Sequence, residues 1–267
     1  MSRGLGDVYK RQEQIQIIAD ATDPNLALTR SSYASRIIRT AQATLADAGK
    51  VHPSLLVHNR LLYNPQMKSA YNFVPGVMGL ILMLICAMMT SISIVREKET
   101  GTMELLLVSP VHPFLVILSK AVPYFALSVL NLTTILLLSV FVLDVPVAGN
   151  LGSLLGVSLL FIFVSLALGL LISCLTRTQV AALLVSAMVL MIPTIILSGI
   201  IFPIGSMPPI LQGLSCLIPA RWYVSIVRKL MIEGVPLAYV WQEVSVLLLM
   251  GILLTGLTIR KFNNRLE

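Results

Sequence analysis

The densest cluster of chemically capable side chains is the run Arg96-Glu97-Lys98-Glu99-Thr100-Gly101-Thr102-Met103-Glu104, which continues through Leu105, Leu106 and Leu107 to Pro110. Read as one helix, it sets Glu97 and Glu104 on a shared polar face and Met103, Leu106 and Leu107 on an apolar one. Pro110 would stop such a helix, and Pro113 suits the first turn of the next. A short amphipathic helix of this kind lies along a membrane surface and offers its charges to a cytosolic partner. A solvated loop with basic anchors is the plainer alternative. The chemistry in either case is recognition, because nothing around the run is arranged for catalysis. His52, His58 and His112 are scattered, no H-E-x-x-H is present, and no serine occupies a nucleophile elbow. No G-x-x-x-x-G-K-[ST] loop is present to cradle a nucleotide phosphate. Cys86, Cys174 and Cys216 occur singly, without metal-ligand spacing, and read as packing residues.

The elements flanking this run are membrane spans. Hydrophobic residues make up 57% of the 267 positions and charged residues 12%, and the mean hydropathy is +0.89, a balance that excludes a soluble globular domain. A helix needs about 20 mostly apolar residues to cross roughly 30 Å of hydrocarbon. Five stretches qualify, at about 74–95, 113–143, 151–175, 180–202 and 240–259, and together they form a transmembrane domain over 74–267. Lys120 lies near one end of the second, Gly152 and Gly156 offer a small-residue face on the third, and Pro193 predicts a kink in the fourth. The fold class is therefore an all-α integral membrane protein, a polytopic helical bundle with a small extracytoplasmic N-terminal segment. Within that segment, residues 13–73, an alternating run over 14–18 reads as a strand. Asp23-Pro24 then caps a helix carrying Leu26, Tyr33, Ile37, Ile38 and Leu45 until Gly49 stops it. Residues 1–12 lack the pattern of a cleavable signal and read as a non-native leader.

Orientation follows from the short loops. Arg96, Lys98 and Lys120 flank the first, Arg177 lies in the third, and Arg260, Lys261 and Arg265 follow the last span, whereas residues 144–150 contain no Lys or Arg. The basic ends, and with them the C-terminus, belong in the cytoplasm. The same alternation sends residues 204–239 outside despite Arg221, Arg228 and Lys229, and the N-terminal segment outside as well. Translocating that segment calls for an upstream span, giving six in a full-length parent. The net charge of +7 is accounted for by these helix ends, so nucleic acid is not among the expected partners.

Two further groups are candidate functional residues. Phe202, Pro203, Met207, Pro208 and Pro219 belong to a proline-broken external stretch. Trp222 and Tyr223 are expected at headgroup depth there, and the segment is a candidate external gate or a structural cap on the bundle. Ser128, Asn131, Thr133 and Thr134 in the second span are candidates for lining a pathway, or for hydrogen bonds between packed helices. No span carries an acid and base pair of the kind proton-driven carriers show.

The run over 96–110 resembles the cytoplasmic signature of the ATP-binding-cassette type-2 (ABC-2) transporter permeases, in which an arginine-glutamate-lysine-glutamate run precedes glycine-threonine and a glutamate. Two other stretches are similar to that family, in the branch of drug and lipid exporters with a large external loop. One is Tyr63-Asn64-Pro65 with Ser69, Phe73, Val74, Pro75 and Gly76. The other is Phe202-Pro203-Ile204 with Met207-Pro208, Ile218-Pro219 and Gly234. The resemblance covers about 64 to the C-terminus and implies an N-terminal truncation that removes the first span. It further implies a permease subunit of an exporter in the cell's inner or plasma membrane. The permease would dimerise with a second permease, be surrounded by lipid, and rest on an ABC nucleotide-binding subunit. Arg96, Glu97, Lys98, Glu99, Gly101, Thr102 and Glu104 would form the coupling region. No cofactor is expected on this chain, with ATP and Mg²⁺ held by the partner and no enzymatic activity of its own. Apolar walls suit a hydrophobic or amphipathic cargo such as a drug or lipid. The rival readings are a non-transporting anchor or assembly protein that recruits a cytosolic ATPase, and a membrane-embedded enzyme, which would need ionisable groups gathered at one depth.

Overall fold

The computed structural model describes residues 14–47, 56–101 and 113–263, and the chain divides into two units, Met1–Asn72 and Phe73–Glu267. In the first, strands β1 (Gln14–Asp20) and β2 (Leu56–Leu62) pair in parallel, from Gln14 opposite Leu56 to Asp20 opposite Leu62. Parallel neighbours require a crossover, which helix α1 (Pro24–Asp47) supplies. Asp23 caps it by accepting the N–H groups of Asn25 and Leu26 at 3.1 and 3.3 Å. Its inward stripe differs from the one expected. Ala27 and Ser31 are buried and Leu26 and Ile38 half-buried, while Tyr33 and Ile37 are exposed, and the Leu45 side chain lies outside the described residues. Small side chains bring α1 close to the sheet, and two strands can cover only one narrow stripe of it.

Long helices dominate the second unit: α2 (Ala70–Glu99), α3 (Pro113–Phe141), α4 (Leu151–Leu175), α5 (Gln179–Ser186), α6 (Ile192–Leu197), α7 (Pro209–Ser215), α8 (Pro219–Val227) and α9 (Trp241–Asn263). Among the described residues, five stretches are long and apolar enough to cross a bilayer: Ala70–Glu99, Ala121–Phe141, Leu151–Leu175, Gln179–Leu197 and Trp241–Lys261. The molecule is thus an all-helical polytopic membrane protein. The fourth of these stretches joins α5 to α6 through a wide turn of π geometry, Ala187–Met191. Pro193 has no N–H, and its ring would strike the carbonyl of Val189 in a regular helix. The wider turn beneath it relieves that clash, so the expected kink takes the form of a π-bulge. The helix stops at Leu197, earlier than the 202 expected from apolarity alone, because Gly199 turns the backbone to a φ of 86°.

Helix α4 is the hub. It is apolar on all sides, as a helix surrounded by neighbours should be, and packs against α9, α8 and α3. Its buried hydroxyls are satisfied within the helix: Ser158, Ser165 and Ser173 donate to the carbonyls of Leu154, Phe161 and Leu170 at 2.7, 2.8 and 2.6 Å. Close helix approach occurs at Gly169 and not at Gly152 or Gly156. A Cβ on Gly169 would lie 2.5 Å from the carbonyl oxygen of Ala87 in α2, whereas Gly156 has open space and Gly152 meets only the side chain of Asn150. The outer faces remain apolar. Leu130, Phe141, Leu249 and Ile252 are all exposed, a surface suited to lipid rather than water.

Two sets of contacts define the ends of this bundle. At one end, the C-terminus of α2 touches the turn between α4 and α5. At the other, Gly76 and Gly79 near the start of α2 approach Ile200, Tyr223 and Val224. Gly149 and Ala148, from the loop without lysine or arginine, reach Leu230 and Met231 beside α8. The fourth span therefore runs antiparallel to α2, and the proline-broken segment lies at the end away from the charged run. That segment is a bent pair, Pro209–Ser215 and Pro219–Ile232, meeting at 88°. The longer arm extends about 20 Å at 1.5 Å per residue, too short to cross about 30 Å of hydrocarbon alone.

Candidate functional site

The charged run begins as the last turn of α2 and not as a separate surface helix. Arg96, Glu97, Lys98 and Glu99 continue the spanning helix. Thr100 then donates to the Arg96 carbonyl at 3.0 Å, and Gly101 ends the helix with a φ of 74° that a residue with a Cβ rarely adopts. The helix carrying Glu97 is therefore interrupted at Gly101. Thr102, Glu104 and the rest of 102–112 lie outside the described residues.

Two of the four charges turn toward the protein. Lys98 Nζ donates to the carbonyl of Ser173, in the last turn of α4. Glu99 Oε1 accepts the backbone N–H of Gln179, the first residue of α5, at 2.9 Å, and Glu99 Oε2 accepts the Gln179 side-chain amide. Both charges have the sign their helix end calls for. The terminal carbonyls of α4 leave negative charge that an ammonium group neutralises, and the first N–H groups of α5 leave positive charge that a carboxylate neutralises. Thr178 completes the α5 terminus by accepting from Ala181 N–H at 3.2 Å. Arg96 is exposed, Glu97 is half-buried, and Arg177 is exposed on the same turn. The result is a compact end at which α2, α4 and α5 are tied together, with guanidinium groups of both α2 and the turn facing outward.

The candidate gate residues differ in exposure. Met207 and Pro219 are buried, Pro203 is half-buried, and Phe202 and Pro208 are exposed. Met207 is held by a 3₁₀ turn and by Gln212, whose side-chain amide donates to the Met207 carbonyl at 2.8 Å. Tyr223 does not face the surrounding lipid or water. It is fully buried, stacked on Phe161 of α4 with ring centroids 4.0 Å apart, and its hydroxyl lies 2.8 Å from Ser158 Oγ. Burial follows from the packing of α8 against both α4 and α9, which draws Tyr223, Val224, Ile226 and Val227 inward. Trp222 is half-buried and donates its indole N–H to the Cys216 carbonyl at 3.0 Å.

The pathway candidates also divide. Ser128 is buried between α3 and α2, receiving Cys86 Sγ at 3.0 Å and donating to the Tyr124 carbonyl at 2.7 Å. Asn131 is half-buried. Thr133 and Thr134 are exposed, with their hydroxyls satisfied by the carbonyls of Val129 and Leu130, each at 2.9 Å. Ser128 thus faces α2, while Thr133 and Thr134 face outward.

Sequence reasoning missed what the basic residues of 204–239 do. Arg221 Nη1 donates to the Gln212 carbonyl at 2.8 Å and to Ser215 Oγ, and the guanidinium lies 5.2 Å from the Trp222 ring centroid. It thereby caps α7 and braces the sharp bend. Arg228 Nη2 donates to the Gly199 carbonyl at 3.4 Å. Lys229 pairs with Glu243 at the start of α9, the carboxylate being the more buried partner. All three cations are engaged by protein groups, which weakens their force as orientation signals. No local pattern announces these partners, since Lys229 and Glu243 meet only after the chain has turned at residues 233–240.

The family described as ABC-2 family transporter protein matches residues 4–260. Over 256 residues the chain is 37% identical to the Probable multidrug ABC transporter permease YbhS of Escherichia coli (strain K12), an overlap of 95% of this chain and 68% of that protein. It is 31% identical over 237 residues to the Probable multidrug ABC transporter permease YbhR of the same strain, 88% of this chain and 63% of that protein. ABC transporter G family member 20 of Dictyostelium discoideum is 26% identical over 259 residues, 96% of this chain and 35% of that protein.

Proposed function

The chain belongs to the ABC-2 transporter family and is a permease subunit of an ABC exporter, and we propose that its motor is a separate nucleotide-binding subunit engaging the charged end of α2. The observation that carries this reading is the end of the bundle itself. An apolar span finishes in Arg96-Glu97-Lys98-Glu99, and Arg96 and Arg177 are both exposed at this end of the bundle. Residues 96–104, including Thr102 and Glu104, act as the coupling region, and closure of two ATPase subunits with ATP and Mg²⁺ tilts the spans attached to it. The chain binds no nucleotide itself. Transport needs a second permease, homologous or identical, and the outward Thr133 and Thr134 on α3 fit a path completed between two copies.

The cargo is a hydrophobic or amphipathic compound, supported by the multidrug designation of YbhS and YbhR and by the apolar helix faces. The C-terminus, with Arg260 and Lys261 in the last turn of α9, is cytoplasmic, and the segment over 202–219 lies outside, where it caps or gates the exit. The alternative of an anchor that recruits an ATPase without moving any compound makes a different prediction. Co-purification with a phosphate-loop ATPase, followed by ATP-dependent accumulation of a fluorescent cationic dye in inverted vesicles, supports the exporter. ATPase binding without dye movement supports the anchor. Glu97→Lys or Glu104→Lys is expected to abolish ATP-driven uptake while leaving membrane insertion intact, and unchanged uptake in both variants removes the coupling claim.

A further inference from the structure

We infer that Glu99 and Gln179 form a strut that makes the charged end of α2 and the start of α5 move as one body, so that a load on the coupling region reaches the fourth span directly; this rests on the permease function proposed above. Three observations converge on it. Glu99 grips Gln179 twice, at its backbone N–H and at its side-chain amide, across 80 residues of sequence. Lys98 grips Ser173 on the other side of the same turn. Further along the two helices, Gly169 brings α4 against the backbone of Ala87 in α2, a second point at which they approach closely.

The physical case is one of lever geometry. The turn between α4 and α5 is only Thr176 to Thr178 long, too short to absorb displacement of either helix. Glu99 is attached to the end of one spanning helix and Gln179 to the beginning of another that runs the opposite way. A push on α2 at Arg96 or Glu97 is therefore delivered to Gln179 as well. It then travels along α5 to the π-bulge Ala187–Met191, where a regular helix is already interrupted and bending is least costly. Gln179 is thus a positioning residue that touches neither nucleotide nor cargo. Sequence alone assigned Glu99 to a partner's surface and gave Gln179 no role.

The test uses the full chain with its co-purifying ATPase in lipid nanodiscs, read by amide hydrogen exchange over residues 176–183 with and without a non-hydrolysable ATP analogue. Glu99→Ala removes both contacts, and exchange at the Gln179 amide should rise about two- to fivefold, the scale of a surface charge at a helix terminus. Gln179→Ala keeps the backbone contact and should change that amide little. The analogue should alter exchange over 176–183 in the wild type and in Gln179→Ala, and fail to do so in Glu99→Ala, compared in preparations matched for bound ATPase. An equal nucleotide response in the wild type and Glu99→Ala, or unchanged Gln179 exchange in Glu99→Ala, overturns the strut. Absence of any wild-type response over 176–183 overturns it too. Failure of ATP-dependent dye uptake by wild-type vesicles would instead remove the permease function, while the Gln179 exchange comparison still reports on the contact itself.

Discussion

Replacing Ser158 should destabilise the bundle more than removing the hydroxyl it receives. Ser158 Oγ already donates its proton to the Leu154 carbonyl at 2.7 Å, so the 2.8 Å contact with Tyr223 has the tyrosine as donor. Both groups are fully buried. Tyr223→Phe removes the donor, keeps the ring stacked on Phe161, and leaves Ser158 satisfied by Leu154. The loss is that of one neutral hydrogen bond, about 0.6 kcal/mol by the average found between membrane helices. Ser158→Ala leaves the tyrosine hydroxyl buried without its acceptor, which costs about 1–3 kcal/mol. In the double variant no orphan remains, so its stability should return to near that of Tyr223→Phe. The measurement is reversible unfolding of the purified chain by SDS titration in mixed micelles, followed by tryptophan fluorescence. A difference of about 1.4 kcal/mol between the single variants is tenfold in the unfolding equilibrium and is readily resolved. The reasoning fails if Ser158→Ala is no worse than Tyr223→Phe, or if the double variant equals the sum of the two singles.

Two other outcomes are expected. Gly169→Ala should cost about 1–3 kcal/mol, because the new Cβ meets the Ala87 carbonyl oxygen at 2.5 Å, while Gly156→Ala has open space and should be neutral or slightly stabilising; the same titration compares them, and equal effects would contradict the packing described. Arg221→Met should loosen the bend between α7 and α8 by releasing the Gln212 carbonyl and Ser215, visible as faster amide exchange over 209–218 with little change in α4.

The candidate site was partly legible before the fold was known. The run Arg96-Glu97-Lys98-Glu99 with Gly101 marks itself, since charge beside an apolar stretch must lie at a membrane boundary and a glycine after a helix invites a left-handed cap. Its division of labour was not legible. Nothing in the run distinguishes Glu97 from Glu99, because the distinction is made by Gln179 and Ser173 on other helices. Tyr223 shows the same limit in reverse. An aromatic residue after a proline-rich external stretch suits an interface, and only the packing of α8 against α4 and α9 makes it a core residue.

By itself the sequence determined that the chain is a helical membrane protein and which turns carry positive charge. These follow from one-dimensional quantities: the length of an apolar run against hydrocarbon thickness, and the placement of lysine and arginine along it. Tertiary structure alone decided which glycine admits a neighbouring helix, which charges face inward, and which hydroxyls meet. Those outcomes depend on contacts such as Glu99 with Gln179 and Ser158 with Tyr223, 80 and 65 positions apart. Their free energy exists only once separate helices have packed, so no local pattern records it.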